Sequence, residues 1–378
     1  MQFGSDNQAG ASTRVLETIT AANLGHTHGY GDDEWTERAV DALRETFQCD
    51  LDAFFVSTGT AANTLALSCL VQSWETILCH AQSHIIIDES TAPEFFTGGA
   101  RLVGLAHGEG KLSVRHLKNY FRSAGLDIPH NPQSRALSIT QATELGLVYT
   151  ADEIAGLTFV ARQHNLSVHM DGARFSNAVA ALDCAPADLT WKAGVDVLCL
   201  GATKNGCLAA EAVVFFKRDI AKQFVHRRKR AGHLLSKGRF YGSQIIGWLQ
   251  DEHWLELAYN ANLQATRLSE TLSSIPGVRI VWPTQANEVF AVMPKQMAAH
   301  LKSVGAEFYE WGHESLPGDF HISEDESFIR LVTSFATEDN HVDNFCGVAN
   351  GQKLTQPQLP GSKEKNRNAC GKEKETGR

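Results

Sequence analysis

Short apolar runs alternate with longer stretches of helical periodicity over the first part of this chain, and no other feature restricts its fold as much. "AFFVS" at 53–57 leads into the helical "GTAANTLALSCLVQS", and "TILC" at 76–79 leads into a helical stretch through Phe96. "ALSIT" at 136–140, "LSVHMD" at 166–171 and "VDVLCLG" at 195–201 continue the series. The alternation predicts an α/β fold, a mainly parallel sheet wrapped by helices. Ahead of it, helices are predicted over 13–23 and 35–47. The second has an acidic start and apolar residues at Trp35, Ala39, Leu43 and Phe47.

The texture changes near residue 245, after the basic helical stretch "KQFVHRRKRAGHLLSKGRF". Helices over "GWLQDEHWLELAYNANLQATRLSETLSSI" precede "GVRIVWP", "EVFAVMP", "AEFYEW" and "FIRLVTS". These predict a smaller α+β unit with an antiparallel sheet. The expected organisation is an N-terminal segment over 1–14, a large domain over 15–247, a small C-terminal domain over 248–350 and a tail over 351–378. The tail holds seven Lys/Arg, three Glu and almost nothing apolar, so it is expected to be disordered.

With 378 residues, 43% of them hydrophobic and 20% charged, the chain can bury a large core. It has no apolar run long enough to span a membrane and no signal-like start, so a cytoplasmic protein is expected. Eight scattered cysteines without metal or disulfide spacing indicate neither a zinc site nor a disulfide framework, and no metal is expected. A net charge of -9 and the lack of a basic stripe argue against a nucleic-acid partner.

Lys204, in "LGATKNG", ends an apolar run among small residues. A lysine just past a strand most often reaches out to solvent. Upstream, however, another apolar run ends in Asp171, within "HMDGAR". In open α/β sheets ligands bind beyond the carboxyl ends of the strands, where both residues would sit. The same two groups would serve a structural ion pair. They are also what a pyridoxal-phosphate site needs: an amine to form a Schiff base, and an acid to keep the pyridine nitrogen protonated. Small neighbours around Lys204 would desolvate its amine and leave room for a ring. In "VSTGTAAN", Thr58, Gly59 and Thr60 open a helix whose N–H groups form a ready phosphate site, although a hydroxyl there is more often simply an N-cap.

"GSDN", "GYGDD", "STGTAAN", "AQSHI", "HMDGAR", "GATKNG" and "IRLVTS" occur in one order. Over residues 3 to about 345 the chain thereby resembles the fold type I, aspartate-aminotransferase-like pyridoxal-phosphate enzymes. Within them it is similar to the L-threonine aldolases of the β-eliminating lyase group. The resemblance implies a seven-stranded sheet in the large domain and pyridoxal 5'-phosphate as cofactor. It implies that Lys204 carries the cofactor, that Asp171 bonds its ring nitrogen, and that Thr58, Gly59 and Thr60 hold its phosphate. His84 would stack on the ring and is the candidate base. Ser5, Arg174 and Arg330 would grip the substrate carboxylate, Arg174 beside the cofactor, and Tyr30 would reach the site from a neighbouring subunit.

Two positions depart from the pattern. Thr143 stands where many relatives have a second histidine, and Ser236 where a partner-derived arginine meets the phosphate, which leaves the adjacent Lys237 as its substitute. The expected reaction is retro-aldol cleavage of threonine-like β-hydroxy amino acids to glycine and an aldehyde. The expected assembly is a homo-oligomer, a dimer at least and a tetramer by resemblance. A β-eliminating dehydratase, or a non-catalytic binding protein in which Asp171 and Lys204 merely pair, are the alternatives.

Overall fold

A computed structural model describes residues 1–125 and 128–352. The tail expected to be disordered lies, from residue 353 onward, outside the described residues. The large sheet contains β1 (Asp52–Val56), β2 (Glu75–His80), β3 (Arg101–Leu105), β4 (Gln133–Thr140), β5 (Ser167–Gly172), β6 (Val197–Gly201) and β7 (Glu211–Phe215). Its order is β1-β7-β6-β5-β4-β2-β3. β3, β2, β4, β5 and β6 run parallel, while β7 is antiparallel to both β1 and β6. β6 and β7 are buried at every position, as strands covered on both faces must be.

The covering helices follow from local signals. Helix Glu34–Phe47 begins where the Asp33 side chain accepts the N–H of Thr36, and it turns Ala39, Leu43 and Phe47 into the core. Helix Arg239–Leu249 packs on it and on helix Thr13–Ala22. The helical stretch expected from 247 divides at Asp251 and Glu252, whose φ angles are 52° and 57°. Asp251 there pairs with Arg14. Helix His253–Ser273 then links two cores, with Trp254 in the first and Ala265, Leu268 and Leu272 in the second.

The second core lies against a four-stranded antiparallel sheet in the order β10-β11-β9-β8. These are β8 (Arg279–Ile280), β9 (Glu288–Pro294), β10 (Tyr309–Glu310) and β11 (Glu326–Val332). "GVRIVWP" and "AEFYEW" thus contribute only two paired residues each, because they form the edges. The N-terminal segment is stitched to this sheet: Phe3 N–H donates to Glu307 O at 2.9 Å, and Val332 N–H to Phe3 O at 2.8 Å. Phe3 is wholly buried, so the hydrophobic anchor carries Gly4, Ser5 and Asp6 toward the ends of the large sheet.

Candidate active site

Across β4, β5 and β6, Thr140 pairs with Asp171 and Asp171 with Cys199, which puts three functional side chains in register at the carboxyl ends of the strands. Asp171 is buried. Its Oδ1 accepts the N–H of Ala173 at 3.0 Å, and its Oδ2 accepts Asn63 Nδ2 at 2.8 Å. Beyond β6 a single 3-10 turn, Thr203–Asn205, carries Lys204. The turn is fixed from behind, since Asn205 Nδ2 donates to Trp254 O at 2.7 Å and Trp248 Nε1 to Asn205 O at 2.8 Å. The Lys204 amine forms no hydrogen bond or ion pair with the described residues.

Gly201 lines a cavity at Lys204, and the glycines beside that lysine also meet backbone demands. A Cβ on Gly201 would lie 2.6 to 2.8 Å from backbone atoms of Ala173, so the close approach of the two strand ends demands glycine there. Gly206 caps the turn at φ +103°, a conformation that L side chains rarely adopt.

Two cavities meet at Lys204. One, of about 310 Å³, is lined by Thr58, Gly59, Thr60, Asn63, Asp171 and Glu211 among others. Its neighbour, of about 340 Å³, is lined by Ser5, Asp88, Trp311 and Arg330 among others. Asn7, His84, Glu144, Arg174 and Lys204 border both. The first cavity opens on the N-terminus of helix Gly59–Ser68, whose N-cap Thr58 accepts the N–H of Ala61 through its hydroxyl. A Cβ on Gly59 would touch nothing within 4 Å, so bare backbone faces open space.

A polar chain runs along the cavity wall. Asn63 Nδ2 donates to Glu89 Oε1 at 2.9 Å as well as to Asp171, and Glu89 Oε1 lies 2.9 Å from His84 Nδ1. That bond to Glu89 raises the His84 imidazole above its ordinary range, against the pull of burial. Burial pushes two further carboxyls on the cavity, Glu144 and Glu211, up to about 7 each. Asn63 Oδ1 and Glu89 Oε2 are buried without a hydrogen-bond partner among the described residues.

The two expected carboxylate-gripping arginines differ. Arg174 is already engaged: its Nε and Nη2 donate to Asp6 at 2.7 and 3.1 Å, and its Nη1 lies 3.4 Å from Glu288. Burial opposes its charge, but Asp6 and Glu288 outweigh that and raise its pKa further. Arg330 sits over the Trp311 ring at 4.1 Å, and its Nε is buried without a partner. Ser5 lines the same cavity while its Oγ caps the turn Asp6–Gln8.

Tyr30 and Lys237 are exposed and border neither of these cavities in their own chain. Thr143 is buried in a loop, where its Oγ1 accepts the N–H groups of Leu145 and Leu147 at 3.3 and 3.1 Å. The sequence reading misses Asn63, Glu89, Glu144 and Glu211. Asn63 closes the motif "STGTAAN", but its contact with Asp171 and Glu89 is tertiary, and no local pattern marks Glu89; Glu144 and Glu211 stand near residues that drew attention instead.

Residues 2–296 match the model of the beta-eliminating lyase family. The chain belongs to that family. Within it, the chain is similar to the low specificity L-threonine aldolase of Pseudomonas aeruginosa, at 44% identity over 308 residues, 82% of this chain and 88% of the relative. A solved threonine aldolase of Leishmania major superposes with a TM-score of 0.85 at 26% identity, covering 92% of this chain and 98% of that one. A serine palmitoyltransferase from S. paucimobilis, solved with bound PLP, shares the fold with a TM-score of 0.65 at 18% identity. This member of the beta-eliminating lyase family is built on a mostly parallel seven-stranded sheet with a smaller C-terminal sheet, a fold that superposes on the Leishmania enzyme.

Proposed function

We propose that this protein is an aldehyde-lyase that cleaves L-threonine, L-allo-threonine and related β-hydroxy amino acids reversibly to glycine and an aldehyde, with pyridoxal phosphate as cofactor. One observation carries the reading: Lys204, an amine with no hydrogen bond or ion pair among the described residues, stands where the cavity lined by Asp171 meets the cavity lined by Arg330. The donor set of the first cavity suits the cofactor. It offers a buried carboxylate, a free amine and the positive end of a ten-residue helix, with unsatisfied acceptors at Asn63 and Glu89.

In this reading Lys204 holds the cofactor covalently and Asp171, fixed by Asn63 and the Ala173 N–H, holds its ring nitrogen. Gly59 and Thr60, whose N–H groups precede the first intrahelical bond, hold its phosphate. Once bound, pyridoxal phosphate supplies a conjugated ring that draws in the electrons of a bond broken at Cα. The chain's own residues choose which bond breaks. Arg330, steadied on Trp311, takes the substrate carboxylate in a planar fork, and Ser5 stands beside it. Arg174, engaged with Asp6, keeps the N-terminal segment against the site. His84 lies between the cavities with its ring held by Glu89. The cavity that holds Arg330 is also bordered by His84, Asp88 and Glu144, the side chains placed to meet a β-substituent once the carboxylate is held.

Tyr30 and Lys237, exposed here, suit a role at a partner's site, which makes a homodimer the smallest active unit and a tetramer the expected assembly. A cytoplasmic location is part of the same reading. Incubation of the purified chain with pyridoxal phosphate and L-threonine tests the proposal. Glycine and acetaldehyde are the expected products; a keto acid and ammonia would overturn it in favour of β-elimination.

A further inference from the structure

Thr143 stands where the resemblance places a second histidine in many relatives, and its hydroxyl is turned into the loop to close it on Leu145 and Leu147. Its neighbour does the opposite. Glu144 borders both cavities, partly exposed to them. Its Oε1 accepts the main-chain N–H of His84 at 2.8 Å and the hydroxyl of Thr140 at 2.8 Å. Two donors from different elements therefore hold one oxygen still. Oε2 forms no hydrogen bond to another described residue. Resting on the aldolase reading above, we propose that Glu144 is the group that takes the β-hydroxyl proton of the substrate during cleavage and returns it during synthesis.

The step balances. Glu144 removes the hydroxyl proton, the O–H pair becomes the second bond of the aldehyde carbonyl, the Cα–Cβ pair stays with the glycine half, and Cα takes up one proton from solvent as Glu144 releases the one it took, so the proton count is unchanged. The carboxyl is suited to both directions: burial first, and then the charge of Asp171, push it up to about 7, while the His84 and Thr140 bonds oppose the rise. The other charged or titratable groups facing it are Arg174 from the end of β5, Lys204 from the turn after β6, Asp88 after β2, and Cys79 and Tyr149 behind it. His84, by contrast, is held at Nδ1 by Glu89, a contact that favours its protonated form.

The test uses the holoenzyme and the variants Glu144→Gln and Thr140→Val. In the wild type, kcat/KM for threonine cleavage rises with pH through a limb near 7, because the carboxylate must be ionised to act as base. Glu144→Gln retains the cofactor absorbance and the spectral titration with glycine, which has no β-hydroxyl. It loses roughly 10²- to 10⁴-fold in kcat/KM together with that limb. Thr140→Val removes a bond that favours the ionised carboxyl and moves the limb to higher pH. Cleavage by Glu144→Gln at the wild-type rate, or a loss of glycine binding as large as the loss of cleavage, overturns the proposal. If Glu144→Gln does not fold, an unmoved limb in Thr140→Val overturns it. A wild-type holoenzyme that makes no glycine and aldehyde from threonine defeats the aldolase reading itself, and this inference with it.

Discussion

His84 Nδ1 lies 2.9 Å from Oε1 of Glu89, a carboxylate sealed from solvent while the imidazole is 38% exposed. The pair links the segment after β2 to Asn63 and so to Asp171, which couples the orientation of His84 to the residue proposed to hold the cofactor ring. A histidine held this way presents Nε2 rather than Nδ1 to the cavity.

Replacing Glu89 by Gln is expected to lower the titration midpoint of His84, followed by NMR of the imidazole. The folded-state pKa is raised above the ordinary 6.5, so its contribution to stability is full below 6.5 and disappears as pH rises through the folded value. The difference in melting temperature between wild type and Glu89→Gln should therefore shrink as pH rises across that window. Solvent screening at the imidazole limits the effect to about 1 kcal/mol. An unchanged His84 midpoint would show that the contact does not govern its ionisation.

Lys204→Ala is expected to abolish the visible absorbance of the lysine-linked cofactor while leaving the melting of the cofactor-free chain close to wild type. The amine forms no hydrogen bond or ion pair with the described residues, and its charge acts on Asp6 and Glu211 only at longer range. Persistence of the band would remove Lys204 from its proposed role.

How much of this was legible in the sequence follows from the range of each contact. Asp171 and Lys204 each end a buried run, a local pattern that single-sequence periodicity reports. β7 follows β6 across a single 3-10 turn with no α-helix between them, so the alternation that marks five strands of the sheet does not isolate it. The edge strand β3 is only partly buried and contains Gly104, which weakens its signature. Asn63 meets Asp171 across 108 positions and Glu89 across 26, contacts that only the assembled sheet creates. Arg174 and Arg330 look alike in sequence. Their difference lies in Asp6 and Glu288, which come from the N-terminal segment and β9 to engage one much more closely than the other.

Arg330→Lys is expected to raise KM for threonine and the half-saturating glycine concentration by roughly ten- to a hundredfold. That corresponds to the about 1.5–3 kcal/mol of a hydrogen bond to a charged group, since an ammonium cannot offer the planar fork or lie flat on Trp311 as the guanidinium does at 4.1 Å. The cofactor band should be unaffected, because Arg330 does not border the cavity that holds Asp171. Parallel loss of the band and of substrate affinity would mean that Arg330 shapes the whole site rather than gripping one carboxylate.

Gly201→Ala tests whether the strand ends themselves set the geometry. The added methyl would stand 2.6 Å from Ala173 O and 2.7 Å from its Cα, and neither is the tip of a flexible side chain that can swing aside. The backbone must shift instead, at a cost of about 1–3 kcal/mol. Ala173 donates its N–H to Asp171, and Gly201 leads directly into the turn that carries Lys204. Displacement therefore separates the two residues proposed to hold the cofactor without altering either of them. The expected outcome is a lower melting temperature of the cofactor-free chain together with weaker cofactor retention, measured by absorbance after dialysis. A variant that melts and retains cofactor like wild type would show that the close approach of β5 and β6 is not what spaces Asp171 from Lys204.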